Sequence, residues 1–439
     1  MMQYRFSHPW SAFSRRVAGL AAFALAAGVL GSLASMAPAW AGVISPTVSS
    51  LSGTNQRLIS YRHQEHMWIT DDGVYHLLAN RGAQTSGDSL QLYNSTDGIT
   101  WTAALSLAGT GAKSTSDGSL SNGVLSVVYS GLSDEILFAP LKYDPTTQAW
   151  QMKGPGQTVR PKTPGGSAGA TNPSLVQDRA GNFWVSFVEQ DNVTGTSVLV
   201  LYYRVAGGNT WVNTGVTFGP QDALSTLDSP QRSARLVLTP NGIGVVYSVR
   251  EGIFWQQRPA GGTPQDPWQA QQTLDPGDPN NVDTDPMASH FSLATDDQGY
   301  MHLAFVNAGF PFYLRYNAAA NVLAWSVPAT QLTSDSINAG YPQMSWMGGS
   351  QVALVVNAGS MPRLYQSASR GAKGSFVCTD RMTHPQATTD NGLNFDHPRI
   401  ETPSKVPSGV SPMLMQYTKN GVQKAYAYSF DASSVAGCQ

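Results

Sequence analysis

The chain has 439 residues, of which 41% are hydrophobic, 10% aromatic and 12% charged, and its formal net charge is −2. This length and aromatic content exclude a disordered chain, and the near-neutral charge excludes the basic surface typical of nucleic-acid-binding proteins. The low charge, together with 43 Gly and 27 Pro, favours a turn-rich β protein over a helical one.

Residues 1–41 have the three parts of a secretory signal peptide. Three arginines and no acid precede an apolar run, Val17–Met36, and small residues before Ala41 form a cleavage site. We therefore predict a signal peptide over 1–41, a single mature domain over 42–439, and a secreted or periplasmic protein. A retained membrane anchor is the alternative, because about 20 apolar residues can span a bilayer.

The chain contains two cysteines, Cys378 and Cys438. In an oxidising compartment two such cysteines usually pair, so export predicts a disulfide between them. The alternative is one buried thiol and one thiol in the C-terminal tail.

Two series of residues recur in the same phase, about every 55 residues, which indicates an internal repeat. The first series is a turn glycine before a β-rich run: Gly73, Gly123, Gly181, Gly242, Gly299 and Gly348. The second is Trp101, Trp150, Trp211, Trp268 and Trp325, with Phe376 in place of the next Trp. Each unit has the pattern of four antiparallel strands, which is typical of a propeller blade, with the aromatic series packed between blades.

Seven such units fill the mature chain, so the sequence predicts an all-β fold, a seven-bladed β-propeller of four-stranded antiparallel blades. The seventh unit lacks the Gly and Trp signals and supplies three strands: Pro398–Pro403, Met413–Tyr417 and Lys424–Phe430. We predict that Arg57–Tyr61 supplies the fourth. Pairing of the N- and C-terminal strands would then close the ring and remove exposed edges. A β-sandwich is the weaker alternative.

The heptapeptide Ser95–Trp101, Ser-Thr-Asp-Gly-Ile-Thr-Trp, resembles the Asp-box, or bacterial neuraminidase repeat, of sialidase-like propellers. In that family the motif caps the turn between the two outer strands of a blade, so the resemblance implies the fold and says little about activity. A sialidase itself is disfavoured, because Arg399-Ile400 is followed by Glu401 where that family has Pro in an Arg-Ile-Pro motif near its start.

The resemblance also implies that ligands bind in a central funnel, at the ends where the innermost strands begin. Residues that fall in this slot are His66, Asn172, Arg232, Arg235, His290, Tyr341, His397 and Arg399. The loops after the second strands add Arg81, Tyr129, Glu189 and Arg250. The varied chemistry of the slot favours one asymmetric central site over sites repeated between blades.

These side chains suit elimination chemistry on an acidic sugar. Arginine holds a carboxylate, and His and Tyr transfer protons near neutral pH. The composition of the site is similar to that of propeller-type polysaccharide lyases, such as ulvan and rhamnose–glucuronate lyases. We therefore predict a lyase for a uronate-containing extracellular glycan. The proton-transfer residues are His290, His397 and Tyr341, the carboxylate-neutralising residues are Arg235 and Arg399, the assisting residue is His66, and the substrate-binding residues are Asn172, Arg232, Arg81 and Arg250.

Two other functions stay open. Each histidine taken alone can serve to cap a turn, and the protein is then a non-catalytic propeller that binds carbohydrate or protein. A glycosidase needs two acids in the funnel, and nothing in the sequence pairs Glu65, Asp117 or Glu189. No metal-ligand or nucleotide motif is present, so we predict no cofactor and leave a structural calcium open. We also predict a monomer with no nucleic-acid partner and no membrane contact after signal removal.

Overall fold

The computed structural model describes most of the chain between residues 46 and 431. The described ranges are 46–59, 63–82, 88–163, 165, 168–223, 232–249, 252–276, 291–318, 324–337, 339–359, 361–382, 393–394 and 399–431. Within them the chain forms strands β1 to β31, which assemble into seven antiparallel sheets. None of these ranges contains a helix with the length and hydropathy needed to cross a membrane. The predicted signal peptide lies outside them and stays a prediction.

After β1 (Thr47–Gly53), the chain builds six blades in order, and the strands of each blade follow one another. Blade 1 consists of β2 (Met67–Ile69), β3 (Tyr75–Asn80), β4 (Leu90–Ser95) and β5 (Thr102–Leu107). Blade 2 consists of β6 (Ser116–Ser121), β7 (Val124–Ser130), β8 (Ile136–Asp144), β9 (Ala149–Met152) and β10 (Gln157–Arg160). Blade 3 consists of β11 (Ala168–Gln177), β12 (Phe183–Asp191), β13 (Thr196–Arg204) and β14 (Val212–Ala223).

Blades 4 to 6 repeat the same order. Blade 4 consists of β15 (Arg232–Thr239), β16 (Gly242–Val249), β17 (Gly252–Pro259) and β18 (Gln272–Asp275). Blade 5 consists of β19 (Phe291–Thr295), β20 (Met301–Asn307), β21 (Phe310–Asn317), β22 (Ala324–Trp325) and β23 (Thr330–Gln331). Blade 6 consists of β24 (Ala339–Trp346), β25 (Val352–Ala358), β26 (Met361–Ser367) and β27 (Val377–Arg381).

The seventh blade joins the two ends of the chain. It consists of β28 (Leu393–Asn394), β29 (Ile400–Glu401), β30 (Val410–Lys419), β31 (Val422–Asp431) and β1. The predicted seven-bladed propeller, closed by pairing of terminal strands, is confirmed.

The prediction of which strand closes the ring was wrong. It is β1, which pairs with β31, and not Arg57–Tyr61. Residues 57–59 form a turn and bend, and Leu58 and Ile59 are apolar because both are fully buried in the core between blades 7 and 1. Burial on both sides of a loop therefore produced the apolar signal that resembled a strand.

The repeated glycines lie in the turn between the first and second strand of each blade, as predicted. Gly73, Gly123 and Gly299 have φ of 82°, 70° and 85°, a left-handed conformation that glycine adopts without steric cost. The seventh unit does carry this signal: Gly409, with φ of 75°, immediately precedes β30, and the sequence analysis missed it.

The second aromatic series is core, as predicted. Trp101, Trp150 and Trp325 are buried, and seven apolar clusters each join one pair of neighbouring blades around the ring. The hydrophobic core of this molecule is therefore the set of seven interfaces between neighbouring sheets. Polar side chains lie at the axis.

The Ser95–Trp101 heptapeptide forms the turn between β4 and β5. The Asp97 carboxylate accepts hydrogen bonds from the backbone N–H of Ile99 (2.8 Å) and Thr100 (2.7 Å) and from the Ser95 hydroxyl (2.9 Å). These bonds, chiefly the backbone ones, lower the pKa of Asp97 to about 2. The Trp101 indole N–H closes the turn on the Gly98 carbonyl at 3.1 Å.

Candidate functional site

The axis of the propeller is crossed by one short segment, His63–His66, which we call the hub plug. The Gln64 side-chain amide donates to the Pro173 carbonyl of blade 3 at 2.8 Å, and the His63 ring stacks on Phe291 of blade 5, with centroids 4.9 Å apart. A segment that leads into blade 1 thus contacts blades on the far side of the ring. The plug separates two faces: the start face, where the innermost strands begin, and the turn face, where they end.

Below the plug, towards the turn face, Arg235 is held by two carboxylates. Its guanidinium donates to Asp117 and, at 2.8 Å, to Glu65. The side chain of Asp117 is fully buried, that of Arg235 is 10% exposed and that of Glu65 is 17% exposed. Burial disfavours the cation, but the two carboxylates outweigh it and raise the pKa of Arg235. Arg235 is therefore paired with carboxylates of the protein itself, whereas the sequence predicted that it neutralises the carboxylate of a substrate.

The Asp117 carboxylate links neighbouring blades through hydrogen bonds. Besides Arg235 of blade 4, it accepts from the Glu65 N–H of the plug (3.0 Å), the Leu175 N–H (2.8 Å) and the Ser174 hydroxyl (3.1 Å) of blade 3. A carboxylate with four donors from three other parts of the ring fixes the positions of the innermost strands relative to one another.

His66 lies at the hub, as predicted, and pairs with a buried acid. Its Nε2 is 3.0 Å from the Ser116 carbonyl, and its Nδ1 is 3.5 Å from Oε2 of Glu401. Burial raises the pKa of the Glu401 carboxyl, and the neighbouring His66 opposes that rise. Glu401 was missed by the sequence analysis, which weighed it only as a departure from a sialidase motif.

At the start face, Tyr341 and Arg399 are brought together. The Arg399 guanidinium carbon lies 5.0 Å from the centre of the Tyr341 ring, and its Nε donates to the Gln56 carbonyl at 3.2 Å. Tyr341 has φ of 47° and occupies a bulge in β24, where the register with β25 shifts between Gly340 and Gln343. A bulky side chain in the left-handed region is strained, and such strain is concentrated at functional sites.

Asn172 occupies the matching position in blade 3. It has φ of 53°, it lies in a bulge of β11 between Thr171 and Ser174, and proline follows it as proline follows Tyr341. Asn172 is fully buried, its N–H donates to the Thr115 hydroxyl at 2.9 Å, and its amide reaches the Arg232 carbonyl at 3.5 Å. The sequence slot therefore corresponds to a repeated structural device, an Xaa-Pro bulge at the start of an innermost strand.

The remaining predicted residues divide into two groups. Arg232 is buried at the start of β15, and Arg81 donates to Gln91 on the third strand of blade 1 at 3.2 Å, away from the hub. His290, His397 and Arg250 lie outside the described residues, and their roles stay predictions. Cys378 lies in β27; Cys438 is also outside the described residues, so the disulfide stays a prediction too.

One more hub residue, His63, was not predicted from the sequence. Its ring is buried at the axis, next to the strand that follows His290. The available signal was its position three residues before His66, in the segment that leads into an innermost strand.

The turn face has an axial cavity of about 570 Å³. Glu65, Arg235 and Ser404 line it near the plug, and Asp178, Arg179, Asp296 and Lys405 line it nearer the ends of the strands. Among the described residues no group of three or more His, Cys, Asp or Glu side chains has the arrangement needed to hold a metal ion.

Comparison with known proteins gives neighbours by fold. No family model and no curated protein matches the chain. Similar solved structures include an α-L-arabinofuranosidase of Fusarium graminearum, at 11% identity and a TM-score of 0.45 over 89% of this chain and 99% of that one. They also include an α-L-arabinanase of Penicillium chrysogenum, at 11% identity and a TM-score of 0.45 over 88% of this chain and 98% of that one. A third is a Trypanosoma rangeli sialidase, at 11% identity and a TM-score of 0.44 over 89% of this chain and 58% of that one.

The seven-bladed fold of this chain is established by its own seven sheets. At these identities and TM-scores the neighbours carry no argument about the activity of this chain.

Proposed function

We propose that this protein is a secreted propeller that acts on an acidic extracellular glycan, and that it cleaves a uronate-containing chain by β-elimination at the start face of the hub. The observation that supports this proposal is the Tyr341–Arg399 pair, in which a guanidinium is packed over a phenol whose backbone is held in a strained conformation. Both side chains are half-buried, so each keeps a surface that a ligand can contact.

In this proposal Arg399 neutralises the uronate carboxylate, which stabilises the negative charge that develops when the neighbouring C–H proton is removed. A base takes that proton, the electron pair forms a C=C bond, and the C–O bond to the leaving sugar breaks. An acid then protonates the leaving oxygen. Tyr341 is placed to transfer one of these protons, and His290 or His397 is predicted to transfer the other.

The strained bulge supports this role for Tyr341. Because the register shift and Pro342 fix the backbone on both sides of the phenol, its hydroxyl is positioned before substrate binds, and little entropy is lost on reaching the reactive geometry. The same device at Asn172 directs its amide toward the Arg232 carbonyl of blade 4.

A second candidate, non-catalytic glycan binding, is favoured by one observation. Arg235, the other cation predicted to neutralise the substrate, is already compensated by Asp117 and Glu65. An Arg399 that contacts an acidic sugar at its half-buried surface can hold the sugar and need not cleave it.

The two candidates are separated by an activity screen of the mature chain, 42–439, on a panel of uronate polysaccharides. Cleavage by elimination creates an unsaturated sugar that absorbs in the ultraviolet. We expect Tyr341→Phe to lower kcat by about 100-fold or more, the usual contribution of a positioned proton donor or acceptor. Arg399→Gln should lower kcat/KM through loss of carboxylate binding.

Tyr93→Phe is the matched control, because Tyr93 is a buried tyrosine that hydrogen-bonds Gln91 on the third strand of blade 1, away from the hub. Activity that survives intact in Tyr341→Phe would refute the assignment of this residue. Binding of a uronate polymer without any unsaturated product, in wild type and variants alike, would select the binding module.

A further inference from the structure

A short motif occurs twice in the chain, in two successive blades. Arg204-Val-Ala-Gly-Gly ends the third strand of blade 3, and Arg258-Pro-Ala-Gly-Gly ends the third strand of blade 4. Both arginines are buried and point towards the preceding blade. Both lie on the turn face, on the opposite side of the propeller from Tyr341. The two copies nevertheless have different surroundings.

In the second copy the arginine is used by the protein. The Arg258 guanidinium donates to the carbonyls of Pro259 (3.3 Å) and Thr263, and its carbon lies 4.9 Å from the centre of the Trp184 ring. Hydrogen bonds from Thr263 chiefly lower the pKa of the Asp266 carboxylate in the same loop, and the charge of Arg258 adds to that effect. The cavity beside it measures about 150 Å³. Arg258 therefore stabilises the glycine-containing loop that follows it in the sequence.

In the first copy the arginine is stacked but not neutralised. The Arg204 guanidinium carbon lies 4.6 Å from the centres of Phe138 and Phe183 and 5.0 Å from that of Trp211. Among the described residues it forms a single side-chain hydrogen bond, to the Gln157 amide, and no ion pair, and burial lowers its pKa. A buried cation without an acid is costly, and an anionic ligand would offset that cost.

The space beside Arg204 is large enough for a ligand. A groove of about 440 Å³ lies between blades 2 and 3, within the range of about 300 to 1,000 Å³ that small-molecule sites occupy. Its lining contains two cations, Arg204 and Lys153, and no acid, although the chain as a whole is slightly acidic. We call this space the blade 2–3 groove.

The rest of the lining indicates what kind of anion fits. Phe138, Phe183, Pro140 and Pro155 offer apolar surface. Hydrogen-bonding groups also line the groove: Ser119, Ser121, Ser126, Asn122, Gln157 and Asn209. A lining with both apolar surface and hydrogen-bonding groups suits a sugar ring, whose C–H faces are apolar and whose edge carries hydroxyls. Inorganic anions would leave the apolar part of the groove unused.

We propose that the blade 2–3 groove is a second glycan-binding site, which holds an acidic sugar with its carboxylate against Arg204 and Lys153. The site does not depend on chemistry at the hub, since it lies on the opposite face and is built from other residues. It would let one acidic polymer contact the propeller at two places, which raises the effective concentration of the polymer at the protein.

The test is calorimetric titration of the full mature chain with uronate oligosaccharides, with the carboxyl-reduced neutral oligosaccharide and inorganic sulfate as separate arms. All proteins carry Tyr341→Phe and Arg399→Gln, so that cleavage and hub binding are suppressed. We expect Arg204→Met to weaken uronate binding at least tenfold and Lys153→Gln to weaken it severalfold. Arg258→Met, the matched copy, should bind as the parent does.

Binding should also weaken with salt, because the charges at the groove mouth are screened. The proposal is overturned if Arg204→Met binds like its parent, if Arg258→Met loses as much affinity, or if no uronate binds at all. Equal binding of the neutral oligosaccharide, or equal competition by sulfate, overturns the acidic-sugar assignment. Should Arg204→Met fail to fold, Lys153→Gln combined with Asn209→Ala, both exposed, tests the same groove. Failure of hub cleavage leaves each of these outcomes unaffected.

Discussion

At the scale of single residues, this protein keeps several titratable groups away from water by pairing them across blades. His76 is an example: it is fully buried, and the Trp150 ring of the next blade packs edge-on against its ring, with centroids 5.0 Å apart. Its Nδ1 is 2.8 Å from the Asn94 side-chain oxygen. Burial lowers the pKa of His76 to about 4, from an ordinary value of 6.5. The folded protein therefore holds this ring neutral at pH values where the unfolded chain protonates it.

The sign of the resulting pH dependence follows directly. Stability from a neutral His76 is complete above about pH 6.5 and is lost as the pH falls towards 4, up to about 3 kcal/mol. Urea unfolding at pH 7 and at pH 4.5 measures it. We expect His76→Gln to lose less stability between these two pH values than wild type does, by about 2 kcal/mol or more. Equal losses would contradict the assignment; His302, buried in blade 5, contributes to both proteins alike.

At the scale of elements, three innermost strands, β6, β11 and β15, are joined by hydrogen bonds to one buried carboxylate, in addition to the apolar packing between blades. Asp117 of β6 receives donors from the hub plug, from β11 and from β15. Two of the innermost strands, β11 and β24, also carry the same Xaa-Pro bulge. The hydrogen bonds and bulges at the axis therefore fix the positions of individual side chains. The aromatic core between blades does not determine those positions.

Asp117→Asn tests this tie. The substitution keeps the size of the side chain but leaves Arg235 with one carboxylate, and removal of one partner from a buried pair costs about 3 kcal/mol or more. Denaturant unfolding measures the loss. Arg235→Met in the same background should restore part of it, because the uncompensated cation is then gone. Asp71→Asn, which changes an exposed carboxylate in a surface turn, is the control and should change stability by less than about 0.5 kcal/mol.

At the scale of the whole molecule, the ring is held closed by one N-terminal strand. β1 pairs with β31 in blade 7, and it also bonds blade 1: the Ser50 hydroxyl accepts from the Trp101 N–H at 2.7 Å, and the Ser50 N–H donates to Ile99 at 3.0 Å. A single strand thus links the last blade to the first, so closure is non-covalent and depends on residues 47–53.

Removal of β1 should therefore open the ring. We expect the chain 54–439 to melt well below the chain 42–439 and to self-associate, because the freed edge of β31 offers unpaired N–H and C=O groups. Thermal unfolding and size-exclusion chromatography measure both effects. A truncated chain that stays monomeric with an unchanged Tm would show that closure does not rest on β1.

Much of the architecture could be read from local patterns. A glycine in a tight turn and an aromatic residue before an outer strand each report on a few neighbouring residues, and their repetition gave the number of blades. Gly409 and β1 were missed because the seventh blade is assembled from both ends of the chain, so its pattern is interrupted. Leu58 and Ile59 are apolar because they belong to a loop that is buried in the core, and this apolar pattern predicted a strand there.

The hub was predicted only in part. Tyr341 and Arg399 do meet, and His66 lies at the axis, since the position of a residue at the start of an innermost strand follows from the repeat. Partners could not be predicted in the same way. Arg235 binds Asp117 across 118 residues of sequence and Glu65 across 170.

The sequence by itself determined the repeat, the turns and the residues that occupy each end of the innermost strands. Only the tertiary structure decided that Arg235 is neutralised by two carboxylates while Arg399 packs over the Tyr341 ring. It also decided that, of two similar Arg-Xaa-Ala-Gly-Gly motifs, one holds its own loop in place while the other lines a groove. The physical reason is that backbone hydrogen bonding and packing repeat with the chain, whereas the charge that a side chain experiences depends on groups brought close by ring closure.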